Sequence, residues 1–466
     1  MRAPSDLFKE WMNRSALRSV RKRGSRIDRF KLAERSRVRD LLLANDQVAH
    51  AVDSHAAVHG LSLQKVWKLV RRYIDEIVPF FNILAYYRFG YFSSRAVLNM
   101  FYKVSAEHHP AWSGRPLPRD AIVVYLMNHR SNADYVLVGY VLSGRVAISY
   151  AVGEWARAFP LEYIFKSFGS YFIRRKYREP LYHCVLEQYV QLITREGVTQ
   201  GIFPEGGLTR DGKLRPGKIG LLDYVLGVAR DPEYRDRIYL VPVAINYDRV
   251  LEDRSLLREL DRTEGRKPPP RITQMREVAR YLWWNAARII LRRWKRYGRA
   301  AVTVGEPFRV GPWLDEENAN DPGIFAMPRS DRLARVQSLC DEMMLRIGAI
   351  IPVTPVPLAC AAIQSLDSDF ISRDKLLERM SEMRDVLLEL NARVIRAEGG
   401  IDEIFDRAWK MLRMRRMLVR SGGGYAVLPD NRGLISYYAN SIAHLLGPFE
   451  EGVRERDTLP SSRILS

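Results

Sequence analysis

The chain has 466 residues, of which 47% are apolar and 27% charged. That balance excludes a wholly disordered or fibrous protein and leaves room for two or three domains. Its 74 basic against 54 acidic residues give a formal charge of +20, so a negatively charged partner is expected: nucleic acid, an anionic membrane or phosphorylated substrates.

Cys184, Cys340 and Cys360 are few and scattered, which argues against a disulfide scaffold and for reduced thiols on a cytosolic face. The N-terminus, MRAPSDLFKEWMNRS, lacks the apolar core of a secretory signal. Residues 14–39 are dense in Arg and Lys, opposed only by Asp28 and Glu34, with Leu17, Val20, Ile27, Phe30 and Val38 interleaved. This stretch reads either as a helix lying on anionic lipid or as a solvated helix or disordered arm. No zinc-finger spacing and no RNA-binding aromatic motif accompanies it, so nucleic acid is not the expected partner.

Residues 46–105 read as helices, rich in aromatic residues from about 60 onward. His55 and His59 are four apart, the spacing of two metal ligands on one helix face, with His50 nearby. The sequence supplies no carboxylate or cysteine that completes a set, so no metal is expected. Ile77–Tyr87 is apolar but ends at Arg88, too short for a membrane span. From about 110 to 312, strand-like runs at 121–127, 146–152, 170–174, 200–204, 238–246 and 300–304 alternate with helical ones. That alternation predicts an α/β domain with a largely parallel sheet.

Within it, the buried run Ile122–Met127 stops at Asn128-His129-Arg130-Ser131, and Asp134 follows. Ser131 and Asp134 resemble a helix-start capping pair, which sets His129 at a strand end and Asp134 in a first helical turn. In an open α/β sheet that is where ligands bind. A neutral imidazole takes a proton from an alcohol near pH 7, and a carboxylate on its other nitrogen fixes the tautomer. His129 and Asp134 read as such a dyad, or else Asp134 only caps a helix.

Gly169-Ser-Tyr-Phe-Ile-Arg174-Arg175 places two arginines, natural phosphate ligands, just after a strand. Phe203-Pro-Glu205-Gly206-Gly207 follows another apolar run and precedes Arg210, Lys213, Arg215 and Lys218. Glycines there let backbone N–H groups approach a ligand oxygen, although Asp211-Gly212 is also a plain turn signal. Tyr239–Asn246 is a buried strand carrying Pro242, whose missing N–H must fall at an edge or bulge. A boundary falls at 311–323, rich in Gly, Pro, Asp and Asn. Beyond it 331–348, 372–398 and 402–418 look helical, and Met417–Leu428 looks like a hairpin. Ile347–Leu366 is long and uncharged, but Pro352, Pro355 and Pro357 make it a buried loop leading into a helix. The protein is expected to lie on a membrane rather than cross it.

In order, H-x-x-x-x-D, G-x-x-F-I-R-R, F-x-E-G-G and V-P-V-x-I-x-Y-D-R resemble the four blocks of the glycerol-3-phosphate/dihydroxyacetone-phosphate acyltransferase family. Tyr297-Gly298 through Val304-Gly-Glu-Pro307, Pro352-Val-Thr-Pro355, and Leu434–Ser441 with His444 look familial too, so the likeness covers about 120–445 and is nearest the bacterial glycerol-3-phosphate branch. It implies a glycerophospholipid acyltransferase-like α/β domain with a largely parallel mixed sheet over 110–312. A basic, aromatic-rich helical region (1–109) and a mostly helical C-terminal domain (324–466) flank it.

The resemblance implies transfer of an acyl group from acyl-CoA or acyl carrier protein to the sn-1 hydroxyl of glycerol 3-phosphate, giving lysophosphatidic acid. His129 would be the base and Asp134 its partner. Arg174, Arg175, Glu205, Gly206, Gly207, Arg210, Lys213 and Pro242 would form the substrate site. No cofactor is implied, and the setting would be peripheral on the cytoplasmic face of the inner membrane. Branch members often read E-G-G-R-S-R where this chain has Glu205-Gly-Gly-Leu208-Thr209-Arg210, so Arg210, Lys213 or Arg215 compensates or the acceptor differs. Dihydroxyacetone phosphate or lysophosphatidic acid as acceptor, and a non-catalytic basic lipid-binding protein, remain the alternatives.

Overall fold

The computed structural model describes Phe30 and residues 35–81, 91–109, 116–142, 148–153, 161–175, 177–263, 296–319, 323–396 and 398–447. The basic stretch 14–39 lies outside these residues except for Phe30 and 35–39, and so does most of 276–299, where the sequence sets Tyr281, Trp283, Trp284 and Trp294 beside Arg280, Arg288, Arg292, Arg293, Lys295 and Arg296.

Eight strands form the main sheet: β1 (Lys103–His108), β2 (Ile122–Met127), β3 (Ser149–Val152), β4 (Tyr171–Phe172), β5 (Gln200–Ile202), β6 (Ile238–Tyr247), β7 (Arg299–Val304) and β8 (Phe308–Arg309). Their order is β1-β7-β6-β2-β5-β3-β4, with β8 also on β6. Every pair is parallel except β6 with β7 and β6 with β8. All six expected strands are present, and the sheet is largely parallel and mixed, as anticipated. The central strands β2 and β6 are buried almost throughout, which is why IVVYLM and LVPVAIN read as continuous apolar runs.

Strand β1 begins inside the stretch 46–105 read as helical and corrects its last three residues. It is an edge strand, half-exposed, and its sequence KVSAEH carries no long apolar run to betray it. Pro242 sits inside β6, which is central rather than at an edge. The ladder on that side breaks, however: Val243 pairs with Val304 of β7 and Leu240 with Phe308 of β8, so Pro242 faces the connection between them. Its missing N–H is harmless at that break.

Helix α1 (Leu63–Ile77) packs on α3 (Pro180–Arg195), while α2 (Asp134–Leu142) follows the loop after β2. Helix α4 (Asp253–Thr263) follows β6. The C-terminal part holds α5 (Arg329–Ala349), α6 (Pro355–Leu366), α7 (Arg373–Glu389), α8 (Ile401–Met414) and α9 (Arg432–Ala439). Helix α7 ends earlier than its apolar pattern suggested because Asn391 turns left-handed, at φ +57°. The expected hairpin is β10 (Leu418–Ser421) with β11 (Gly424–Val427), joined by β9 (Phe370–Ser372). The segment 347–366 starts with the last turn of α5, then forms a buried loop at 350–354 that leads into α6, whose first residue is Pro355. No helix among the described residues is long and apolar enough to cross a membrane. One hydrophobic core runs through the N-terminal helices, the sheet and the C-terminal helices.

Candidate active site

Strand β2 ends at Asn128, whose side-chain amide donates to Ile245 O (2.9 Å) and whose side-chain oxygen accepts from Ile245 N (2.7 Å). This double bond to β6 fixes where the chain turns off the sheet. The next residues build a capping box: Ser131 Oγ accepts from Ala133 N (3.1 Å), and Asp134 Oδ2 accepts from Ser131 N (3.0 Å). The same Oδ2 accepts from Arg130 N at 2.7 Å and lies 3.0 Å from His129 Nδ1. Asp134 Oδ1 accepts from Tyr247 OH at 2.6 Å. The carboxylate therefore does both things its sequence position allowed: it starts the helix and orients the histidine.

A carboxylate facing Nδ1 makes that nitrogen the donor and leaves Nε2 as the basic one. His129 is 1% exposed and Asp134 wholly buried. The imidazole stacks on Phe203 (centroids 4.1 Å apart) and meets Tyr135 edge-on at 5.4 Å.

Glu205 joins the third block to the first. Its carboxylate is buried and accepts from His129 N (2.7 Å) and Arg215 N (3.2 Å). Burial pushes its pKa up to about 7, against the opposing pull of those N–H groups and of Arg130. Thr209 N donates to His129 O at 3.3 Å, closing the loop 205–213 over the dyad. Glu252, raised by burial, accepts from Ser131 Oγ (2.7 Å) and Asn132 N (3.2 Å).

Gly206 is left-handed at φ +69°, with the Lys218 side chain over it; Gly207 lies beside the Arg175 guanidinium. These two cations, with the backbone of Gly206 and Gly207, are what the structure gathers around the third block. Arg174 is elsewhere. It makes a bidentate pair with Glu76 of α1 (2.8 and 2.6 Å) and lies over the Tyr177 ring at 4.8 Å, so of the two arginines only Arg175 is brought beside the third block. The reason is local: Arg174 and Arg175 are consecutive and point apart, and Glu76 claims the first. Arg210 pairs with Glu259 of α4 at 2.9 Å, and the Lys213 side chain is exposed. Pro242 lies in β6, in register with Leu126 of β2 and against Gly305. Leu208 packs against the core.

Sequence reasoning did not single out Asn128, Tyr247, Glu252 or Arg130 as site residues. Tyr247 lay in plain view in the fourth block; its role appears only because β6 runs beside β2. Arg130 is 3% exposed, donates Nη1 to Gly212 O and lies over the Tyr437 ring at 5.4 Å, while its Nε and Nη2 are buried without a partner among the described residues.

The C-terminal segment buttresses this loop cluster. Asn440 donates to Asp211 O (2.8 Å), Asn246 to Pro352 O (3.0 Å), and Tyr438 OH is shared between Val250 N and Asp253. Among the described residues, one group has the ligand spacing for a metal ion: His55, His59 and Glu179. Glu179 is the carboxylate that sequence alone could not pair with the two histidines.

A family model described as Acyltransferase matches residues 111–246, and one described as Glycerol-3-phosphate acyltransferase C-terminal region matches residues 283–448. The glycerol-3-phosphate acyltransferase of Aeromonas hydrophila is 27% identical over 423 residues, covering 89% of this chain and 50% of that protein. That of Xylella fastidiosa is 27% identical over 424 residues, covering 89% and 47%. The chain thus spans about half the length of the curated relatives it matches. The crystal structure of the 1-acyl-sn-glycerophosphate acyltransferase from Thermotoga maritima superposes with a TM-score of 0.30 at 17% identity, over 55% of this chain and 76% of that one.

Proposed function

We propose that this chain, a member of the glycerol-3-phosphate/dihydroxyacetone-phosphate acyltransferase family, moves a fatty acyl group from a thioester donor to the sn-1 hydroxyl of glycerol 3-phosphate, giving lysophosphatidic acid. His129 Nε2 takes the hydroxyl proton as the oxygen attacks the thioester carbonyl. The tetrahedral intermediate then collapses, expels the thiolate and returns the proton to it through the same imidazole. No side-chain nucleophile is needed, because the acceptor alcohol attacks directly.

The observation that carries this reading is the 3.0 Å contact between His129 Nδ1 and Asp134 Oδ2, with Asp134 held in turn by Tyr247 OH and two backbone N–H groups. A binding protein has no use for an imidazole so closely oriented. The acceptor phosphate is assigned to Arg175 and Lys218 at the Gly206-Gly207 loop, with Arg210 and Lys213 further along the same loop. Arg130 adds a buried positive charge that favours the developing oxyanion. The basic stretches 14–39 and 276–299 are assigned to the surface of an anionic membrane, on which the protein acts peripherally from the cytoplasmic side.

A transfer assay offering glycerol 3-phosphate, dihydroxyacetone phosphate and lysophosphatidic acid in competition tests the acceptor. The expected outcome is preferential acylation of glycerol 3-phosphate, with acyl-CoA or acyl carrier protein as donor. Preference for either competitor would replace the assignment.

A further inference from the structure

Strands β1 and β7 both begin at the end of the sheet where β6 finishes: Lys103 is in register with Arg299, and Ala300 with Tyr247. Beside them α8 closes a cavity of about 590 Å³, within the range of small-ligand sites. Six cationic residues line it: Lys103, Arg296, Arg299, Arg407, Lys410 and Arg413. The one carboxylate in the lining, Asp248, is committed elsewhere. It is buried and accepts from Arg299 N (2.7 Å) and Val356 N (3.1 Å).

The cations are not neutralised from within. Arg407 pairs with Glu403 through Nη2, yet its Nε is buried without a partner among the described residues. Glu403 is also shared with Arg396. The fields of Arg299 and Arg396 hold the Lys103 ammonium below its ordinary pKa. Such crowding raises the energy of the empty site and is relieved when an anion enters. Arginine forks match phosphate oxygens, and Met411 and Met414 supply a soft apolar wall for the organic remainder of a ligand. The cavity is also next to the chemistry: Tyr247 bonds Asp134, and the following residue, Asp248, lines it.

We propose that this cavity is a second anion site, separate from the acceptor site at Gly206-Gly207, that binds the phosphate-ester head of a larger organic molecule. Two sources share that chemistry: the nucleotide head of a coenzyme A thioester and the headgroup of an anionic phospholipid. Binding is measured without turnover, so this site stands or falls apart from the acyl-transfer reading.

The test titrates the full chain with coenzyme A, with adenosine 3′,5′-bisphosphate, and with vesicles of phosphatidylglycerol or phosphatidylcholine. Wild type is compared with Lys410→Glu/Arg413→Glu, two exposed changes on α8. Circular dichroism checks that the variant is folded, and Lys410→Glu alone replaces it if it is not. The site predicts saturable binding that the charge reversal weakens at least ~10-fold. Loss confined to the two nucleotides identifies a coenzyme A head; loss confined to phosphatidylglycerol identifies a lipid headgroup. His129→Ala should bind as wild type does. Equal binding by wild type and the reversed variant, or no binding by either, overturns the proposal.

Discussion

Asp134 accepts four hydrogen bonds, three of them at Oδ2, and the one from Tyr247 OH is the most readily removed. Tyr247→Phe keeps the ring and leaves Oδ1 buried and unpaired, which costs about 1.5–3 kcal/mol for a charged acceptor. The variant should melt lower and turn over more slowly, with donor KM little changed; unaltered melting and turnover would remove Tyr247 from the site. Glu205 gives a pH signature. Its pKa rises on folding from 4.5 to about 7, so the folded state holds a proton that the unfolded state releases. The contribution of Glu205 to stability is therefore greatest below about pH 4.5 and falls as pH rises to about 7. Glu205→Gln should abolish that slope in urea melts taken across the range. It should also lose about 1–3 kcal/mol, because its amide nitrogen would face one of the two N–H donors that Glu205 now accepts. An unchanged slope would place the effect in another group. The His129–Asp134 contact could be anticipated because, of the eight histidines, only His129 has an Asp five residues on and the pair opens the four ordered blocks; by itself the spacing is a weak signal. Asn128, Tyr247 and Glu252 were not, since their partners lie more than a hundred residues away and only the β2–β6 pairing brings them in.

Among the elements, the loop 205–218 is where the blocks meet. Gly212 is left-handed at φ +89°, and a Cβ there would overlap the carbonyl oxygen of Tyr437 in α9. Gly212→Ala should cost about 2 kcal/mol or more and loosen the loop from its C-terminal buttress. A variant as stable as wild type would mean that this packing is dispensable. The two arginines after β4 separate by the same logic. Arg175→Ala should raise the acceptor KM ~10–100-fold and spare the donor KM. Arg174→Ala breaks the pair with Glu76 and should appear first as a loss of stability, about 1 kcal/mol for a partly exposed bridge. Kinetics with acceptor and donor varied separately distinguish them; an effect on acceptor KM from Arg174 alone would reverse the assignment. Long apolar runs such as β2 and β6 were plain in the sequence. The edge strand β1 was not, because half-exposed strands carry no distinctive pattern, and the direction of Arg174 was set by a partner on α1.

Across the molecule, the sheet and the C-terminal helices share bonds that neither could replace. Asn246 reaches Pro352 O, Asp248 accepts from the start of α6, and Arg415 forms a buried pair with Asp253 at 2.6 and 2.7 Å. A chain ended at residue 323 should therefore be recovered aggregated, its exposed β6 face and unpaired Asp253 left in water; a soluble, cooperatively melting fragment would contradict this. The alternation of strands and helices made the α/β class legible, whereas the shared core did not follow from composition shifts at 311–323. The central claim is that His129 is the base. The most direct measurement is the acyl-transfer rate of purified His129→Ala, verified as folded, with saturating donor and glycerol 3-phosphate. A fall of about 10²-fold or more is expected; turnover close to wild type would contradict the mechanism.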